Sequence, residues 1–226
     1  MIRVTWHGHA TVSVESGDRH ILIDPFFTGN PAAVADETSL NPDTIIVTHG
    51  HDDHVADVEA IAKRSGATLI SSPEICGWFA GRGVGESHAM NIGGWTDFGQ
   101  FRVKFTPAWH SSSLPDGSYA GMPMGVLLEL GGRRVYHAGD TALFSDMSLI
   151  GREGVDLALL PIGSNFTMGP DEALEASRLL EPRLVIPIHY DTFPPIRQDA
   201  QSFAQRLEQE TGTACRVMAA GEVIDL

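Results

Sequence analysis

The sequence has few cysteines, no long apolar run and no targeting signal. Its two cysteines, Cys76 and Cys215, lie far apart and belong to no C-x-x-C spacing, so we expect two reduced, partly buried residues without a chemical role. No apolar segment reaches the roughly 20 residues that a membrane-spanning helix needs. The first residues, MIRVTWHGHATVSV, lack the basic and apolar regions of a signal peptide. We therefore expect a soluble, cytoplasmic protein with no membrane partner.

Basic residues are also scarce. The chain has 15 Lys and Arg against 29 Asp and Glu, which gives a formal net charge of −14, and its longest basic feature is the pair Arg133 and Arg134. Nucleic-acid binding normally depends on a Lys and Arg surface that displaces counterions from phosphates. We therefore do not expect nucleic acid as a partner.

The remaining composition is that of a globular protein. The 226 residues are 42% hydrophobic and 19% charged, with no low-complexity tract or polar linker, which predicts a single domain over residues 1–226. Apolar alternation and turn signals predict alternating strands and helices. Strands are predicted at 3–5, 11–15, 20–24, 44–48, 67–71, 101–106, 124–130, 133–137, 157–161, 184–188, 215–218 and 222–225, and helices at 55–65, 73–81, 171–180 and 198–209.

A faint internal repeat indicates the architecture. Residues 12–25, VSVESGDRHILIDP, and residues 126–140, VLLELGGRRVYHAGD, are each an apolar strand, a glycine-containing turn, a second strand and an aspartate. A further apolar strand follows in each half. Two β-rich halves covered by helices predict an α/β (α+β) fold, a four-layer αββα sandwich with pseudo-twofold halves. A repeat this weak is also compatible with chance.

Polar clusters end five apolar strands. They are Asp24, the segment 49–54, His110, Asp140 and His189. Strand ends are where α/β proteins gather functional side chains, and solubility alone would favour Lys and Glu over His and Asp. We therefore expect the five clusters to converge on one site. The alternative is a group of buried, hydrogen-bonded histidines without a metal.

The segment THGHDDH, residues 48–54, predicts ligands for more than one ion. His49 and His51 lie two residues apart around Gly50, so one loop can direct both imidazoles at a single ion, and His110 would complete a three-histidine site.

Asp53 and His54 suit a second, adjacent ion, because side chains of neighbouring residues usually diverge. His189 would complete this second site, and Asp140 would bridge the two ions. Two ions that share a carboxylate and a hydroxide form a common hydrolytic arrangement.

The order H-x-H-x-D-H after a buried strand, followed by single His, Asp and His residues, resembles the metallo-β-lactamase superfamily over essentially the whole chain. The pieces GHATV, DPF, YHAGDT, PIGSNFTMGP and PIHYDTFP look more closely like its uncharacterised metal-dependent hydrolase branch, akin to ascorbate-6-phosphate lactonase-like proteins. This resemblance implies the αββα fold. Asp24 matches an aspartate that orients ligand loops through hydrogen bonds. The resemblance implies metal ligands at His49, His51, Asp53, His54, His110, Asp140 and His189.

Three differences between this sequence and other branches of the superfamily narrow the range of expected reactions. The two cysteines lie outside every motif, whereas lactam-cleaving members commonly have a cysteine ligand. His51 stands where the diiron oxidoreductases have glutamate, and no basic tRNA-binding arm is present. Hydrolysis of a small molecule is the function that remains.

We therefore expect a metal-dependent hydrolase in which a bridging hydroxide attacks a small, anionic ester, lactone or phosphodiester. Two alternatives stay open, a phosphodiesterase or nuclease acting on nucleic acid, and a catalytically silent metal-dependent protein that binds a metabolite. Two divalent ions are expected, and histidine-rich sites favour zinc, with Mn, Fe, Co and Ni as alternatives. A homo-oligomer is also open, because apolar stretches such as PEICGWFAG suit either a core or a subunit interface.

Residues besides the ligands have expected roles. Asp53 would orient the hydroxide and receive its proton, and His7, His9 and His137 are candidate acids for the leaving group. A structural hydrogen bond is the alternative for His9, and His137 is better suited to hold a carboxylate or ligand loop. Backbone N–H groups at 165–168 could bind an anionic group, or simply cap the following helix.

Overall fold

Two mixed β-sheets of seven strands each form the centre of the protein, which a computed structural model describes over residues 1–226. The first sheet has the strand order β14-β1-β2-β3-β4-β5-β6. Its strands are β1 (Arg3–Gly8), β2 (Thr11–Ser16), β3 (Arg19–Ile23), β4 (Thr44–Ile46), β5 (Thr68–Ser71), β6 (Ser87–Ala89) and β14 (Val223–Asp225).

The second sheet has the order β13-β12-β11-β10-β9-β8-β7. Its strands are β7 (Thr96–Asp97), β8 (Phe101–Pro107), β9 (Met124–Leu130), β10 (Arg133–His137), β11 (Leu157–Pro161), β12 (Leu184–Ile188) and β13 (Ala214–Cys215).

Both sheets have the same sequence of strand pairings. In the first sheet the pairs from β14 to β3 are antiparallel and those from β3 to β6 are parallel. In the second, the pairs from β7 to β10 are antiparallel and those from β10 to β13 are parallel. Strand β3 therefore corresponds to β10, as the repeated sequence predicts. The two halves are alike in topology.

Helices cover the outer face of each sheet. Strand residues alternate between the two faces, so Ile21 and Ile23 pack in the core between the sheets, whereas Leu22 packs with Ile61 and Phe79 of the covering helices. The predicted four-layer αββα sandwich is confirmed. None of the helices combines the length and apolar character that crossing a bilayer requires. The helices are α1 (Asp52–Val55), α2 (Val58–Ser65), α3 (Pro73–Ala80), α4 (Met147–Gly151), α5 (Pro170–Leu180) and α6 (Ala200–Thr211), with 3-10 turns at Glu37–Ser39 and Pro194–Ile196.

Several elements differ from the prediction. The helix predicted at 55–65 is divided into α1 and α2, because Asp57 has a non-helical backbone conformation and its buried carboxylate accepts hydrogen bonds from the 27–28 loop. The predicted strand at 215–218 is the shorter β13. Strands β6 and β7 and helix α4 were not predicted.

The two cysteines are free, as expected. Burial raises the pKa of the Cys76 thiol to about 11 and that of Cys215 to about 12, so neither is a ready nucleophile at neutral pH.

Candidate metal centre

The strand ends predicted to converge do meet at one edge of the sandwich. His9 follows β1, Asp24 follows β3 and the 49–54 segment follows β4, whereas His110, Asp140 and His189 come from the second sheet. The carboxyl ends of the parallel strands in each sheet lie at the same edge, which brings loops from both halves together.

Three histidines form the first group. The Nε2 atom of His49 lies 3.0 Å from Nδ1 of His51, which lies 3.3 Å from Nε2 of His110. Gly50 allows this approach, because a Cβ atom there would lie 2.5 Å from Cβ of Ala120. The three ring nitrogens are close enough to hold one ion.

Asp53, His54 and His189 form the second group, together with His9. The single turn α1 carries Asp53 and His54 on successive residues. The centroid of the His54 ring also lies 4.1 Å from that of the His49 ring, and these two histidines form a third, overlapping set of ligand atoms with Asp140. Nε2 of His189 lies 3.9 Å from Oδ2 of Asp53. These atoms are also close enough to hold an ion.

Asp140 lies between the two groups. Its Oδ2 atom is 3.0 Å from Nε2 of His189 and 3.5 Å from Nε2 of His110, and its Oδ1 atom is 3.3 Å from Nε2 of His54. Burial would raise its pKa, but His189 and His54 hold the pKa of this carboxyl well below its usual value. A buried carboxylate therefore faces both groups.

The chemistry of these atoms fits divalent metal ions. Nε2 of His54, Oδ1 of Asp140 and Nε2 of His189 are buried without a hydrogen-bond partner. Burial alone would lower the pKa of His54, but the carboxylates of Asp140 and Asp24 raise it well above its usual value, so a positive charge is stabilised at this position. Imidazole nitrogens and carboxylate oxygens are the ligands that zinc and related ions take.

Asp24 orients two histidines of the cluster at once. Its Oδ2 accepts a hydrogen bond from Nδ1 of His54 (2.8 Å) and one from the Thr48 hydroxyl (2.7 Å). Because that hydroxyl donates to Asp24, it accepts from Nδ1 of His49 at 3.0 Å. Both imidazoles are thereby held with Nε2, the nitrogen that would bind a metal, toward the cluster.

His9 contacts Asp53 of the second group from the buried side of the cluster. Its Nε2 donates to Oδ2 of Asp53 (3.1 Å), and its Nδ1 lies 2.9 Å from the Thr192 hydroxyl. Burial, followed by the proximity of His189, lowers the pKa of His9 to about 4, so the ring is neutral. Its imidazole centroid lies 4.0 Å from that of His189.

Three residues at the cluster have left-handed backbone conformations. The φ angles are 55° at His9, 48° at Asp24 and 54° at His189. Such values are uncommon outside glycine and concentrate at functional sites. Here each residue follows a strand end, and the sharp turn directs the side chain toward the cluster instead of along the strand.

His137 is not brought to the cluster's open side. Its buried ring donates from Nε2 to the carbonyl of Ala10 (2.8 Å) and accepts from the Gly139 N–H (3.1 Å). Both nitrogens are therefore used by the backbone beside Asp140. The arrangement matches the loop-holding role and leaves no free nitrogen for a leaving group.

A cavity of about 520 Å³ opens onto the cluster. The sequence did not predict Phe193 or Pro195 as cavity-lining residues, and it indicated Phe166 only as part of the segment 165–168. All three lie outside the α-helices and strands, where no apolar periodicity marks a residue as facing a cavity. The lining includes no lysine or arginine. It consists of His51, Asp53, His110, Ser111, Asp140, Phe166, His189, Phe193 and Pro195.

Three of the four N–H groups at 165–168, the expected anion-binding groups, are bonded within the protein, those of Phe166 and Thr167 to the carbonyl of Ser164. The Met168 N–H donates to the carbonyl of Thr141 (2.8 Å), and the Gly169 N–H donates to the Glu172 carboxylate (3.1 Å) at the start of α5. The helix is thus capped by its own glutamate. The lining of the cavity also has no lysine or arginine. The anionic character of the substrate stays a prediction.

Comparisons with known proteins agree with this description. The sequence profile described as "Beta-lactamase superfamily domain" matches residues 19–190. A "UPF0173 metal-dependent hydrolase" of Thermus thermophilus is 53% identical over 226 residues, 100% of both chains. The "UPF0173 metal-dependent hydrolase YtkL" of Bacillus subtilis is 45% identical over 231 residues, again 100% of both. The structure of Igni18, a metallo hydrolase from the archaeon Ignicoccus hospitalis, superimposes with a TM-score of 0.91 at 38% identity, covering 99% of this chain and 97% of that one.

Proposed function

The chain belongs to the beta-lactamase superfamily and is a metal-dependent hydrolase, and we propose that it cleaves an ester, lactone or phosphodiester bond of a small molecule at a centre of two divalent metal ions. One observation supports two ions above all. The two groups joined by Asp140 contain more ligand atoms than the about four that one zinc ion usually takes. Oδ2 of Asp140 lies 3.5 Å from Nε2 of His110 in the first group and 3.0 Å from Nε2 of His189 in the second, so one carboxylate oxygen is close to both groups.

The proposed ligands are the two groups joined by Asp140. Bound divalent ions supply Lewis acidity and a hydroxide nucleophile at neutral pH, here proposed to bridge them. Zinc suits the histidine-rich first group, whereas Mn, Fe, Co and Ni are alternatives that share its ligand preferences. The first group is His49, His51 and His110, and the second is Asp53, His54 and His189.

The remaining residues position these ligands and handle protons. Asp53 lines the cavity, so its carboxylate can orient the attacking water and accept its proton. His9 donates to Oδ2 of Asp53 and holds that carboxylate in place. His9 is itself completely buried, so we assign it a positioning role.

Both halves of the chain contribute to the centre. His49 and Asp53 come from the first sheet, and His110, Asp140 and His189 from the second. Neither half has a complete ligand set. We therefore propose that residues 1–226 function as a single domain.

Metal analysis tests the proposal directly. We expect two ions per chain in protein reconstituted with zinc, and hydrolysis of at least one class among lactone, ester, thioester and phosphodiester substrates. His51→Ala should lose one ion and the activity while keeping its circular dichroism spectrum. His88→Ala, an exposed histidine in β6 outside the cluster, is the control and should change neither.

Three results would contradict the proposal in different ways. One ion per wild-type chain would refute the dinuclear centre. Full metal occupancy in His51→Ala would refute the ligand assignment. Two bound ions without turnover of any substrate class would favour a protein that only binds a metabolite.

A further inference from the structure

The cavity over the cluster has two chemically different walls. One wall carries the imidazoles and carboxylates, and the other is formed by Phe166, Phe193 and Pro195. No lysine or arginine separates them. A molecule bound to the cluster must therefore place its remaining atoms against aromatic and aliphatic surface.

Phe193 provides a preformed part of this apolar wall. Its ring centroid lies 5.5 Å from that of the buried His9 and 6.4 Å from that of Phe26. The 3-10 turn Pro194–Ile196 follows it directly, and Ile196 is fully buried. Proline restricts the backbone of this turn, so the wall keeps its shape without a ligand.

Phe166 provides the solvent-exposed part of the same wall. Ser164 and Asn165 both have left-handed φ angles, and this tight turn holds the Phe166 side chain 53% exposed at the cavity. Large aromatic side chains gain free energy when a ligand removes them from water. An exposed phenyl ring that lines a cavity is therefore a contact surface for an apolar group.

The electrostatic environment disfavours a charged group at this wall. An anion there would lose hydration without gaining a cationic partner, because the lining has no lysine or arginine, and the Gly169 N–H at the start of α5 is already bonded to Glu172. The net charge of −14 adds a general repulsion. Only the metal ions would attract negative charge, and they lie at the other wall.

We propose that the substrate is an ester or lactone with an uncharged, apolar acyl or alkyl group, which packs against Phe166, Phe193 and Pro195 while the carbonyl faces the cluster. This inference rests on the proposed hydrolytic function. In the reaction, one water is consumed and the bond between the acyl carbon and the ester oxygen breaks. The oxygen of water bonds to the acyl carbon, the ester oxygen takes a proton, and an alcohol and a carboxylic acid result, within one hydroxy acid for a lactone.

Hydroxamates measure binding at this wall without any turnover. With zinc-loaded protein, titration calorimetry should show affinity rising by roughly threefold per methylene from acetohydroxamate to hexanohydroxamate, because each buried methylene stabilises the complex. Glutaric monohydroxamate, in which a carboxylate replaces the terminal ethyl group, should bind about tenfold or more weaker than hexanohydroxamate. A flat series, or tighter binding of the glutaric derivative, would overturn the proposal.

A matched pair of variants locates the effect. Phe166→Ala should reduce the affinity ratio between hexanohydroxamate and acetohydroxamate severalfold with unchanged zinc content. Leu149→Ala removes a side chain of similar exposure, 52% against 53%, from α4 outside the cavity and should leave the ratio as in wild type. Equal ratios in all three proteins would refute the assignment of Phe166.

Kinetics with γ-lactones separates this inference from the proposed function. We expect kcat/KM to increase from γ-butyrolactone to γ-hexalactone to γ-nonalactone, which share the reacting ring. Hydrolysis without any dependence on alkyl length would refute the apolar subsite and leave the hydrolase intact. Chain-length-dependent hydroxamate binding without hydrolysis of any ester, lactone or phosphodiester would support the subsite and refute the hydrolase.

Discussion

Replacing Asp24 by asparagine should weaken metal binding although Asp24 is not a proposed ligand. The carboxylate accepts hydrogen bonds from Nδ1 of His54 and from the Thr48 hydroxyl, both at the same oxygen. An amide nitrogen in that position donates instead of accepting. His54 would then carry its proton on Nε2, the atom that faces Asp140, and His49 would lose the orientation that it receives through Thr48.

The expected magnitude follows from this loss of orientation. Removing the hydrogen-bond partner of a ligating histidine typically weakens metal binding roughly 10- to 100-fold, or about 1.4 to 2.7 kcal/mol. His49 is a proposed ligand of the first group and His54 of the second, and the two also share a set of ligand atoms with Asp140. We therefore expect both ions to bind more weakly in Asp24→Asn. The loss should be larger for the ion bound by His54, because His54 contacts Asp24 directly whereas His49 contacts it through Thr48.

Competition with a chromophoric chelator measures the two affinities, and ¹⁵N NMR of the imidazole nitrogens in zinc-loaded protein reports which nitrogen of His54 carries the proton. Asp57→Asn is the matched control. Asp57 is also buried and accepts three hydrogen bonds, from the Phe27 N–H, the Thr28 N–H and the Thr28 hydroxyl, but it contacts no histidine. Wild-type affinity in Asp24→Asn, or an equal loss in Asp57→Asn, would refute the reasoning.

Three further predictions concern stability. Gly50→Ala would place a methyl group 2.5 Å from Cβ of Ala120, so urea denaturation should show a loss of about 1 to 3 kcal/mol, whereas Gly85→Ala, with nothing within 4 Å, should behave as wild type. Burial lowers the pKa of His7 from 6.5 to about 4, so the unfolded chain binds a proton that the folded chain does not, and stability falls as pH drops from 6.5 toward 4. His7→Gln, in which the amide can keep the hydrogen bond to Ser13, should reduce this slope by about 1.4 kcal/mol per pH unit, and an unchanged slope would contradict the assignment. Chelating a metal held at 100 times its Kd should lower the unfolding free energy by about 2.7 kcal/mol per ion, and an unchanged Tm would exclude binding specific to the folded state.

Alternating apolar residues made most of the sheet predictable, but not its edges. Strands such as β3 and β12 have runs of branched apolar residues that suit buried strands. Strands β6 and β7 have only two or three residues, largely exposed, and depend on pairing with a neighbour. Helix α1 is a single turn, and its residues Asp53 and His54 belong to the cluster. It therefore has no apolar pattern of helical period.

The convergence of the histidines and aspartates could be predicted from residue type and position, but the individual contacts could not. His9 and His137 look alike in the sequence, yet one ring contacts Asp53 and the other is bonded to backbone on both nitrogens. The apolar wall could not be predicted because Phe166 and Phe193 come from distant parts of the sequence and line one cavity only in the folded protein.

The left-handed conformations of His9, Asp24 and His189 imply that this protein is less stable than its fold permits. A non-glycine residue in that region costs roughly 1 to 2 kcal/mol relative to its relaxed backbone, whereas glycine adopts it freely. Selection for stability alone would place glycine at all three turns. Histidine and aspartate stand there instead, which indicates that their side chains contribute more to the cluster than the strained backbone costs in stability.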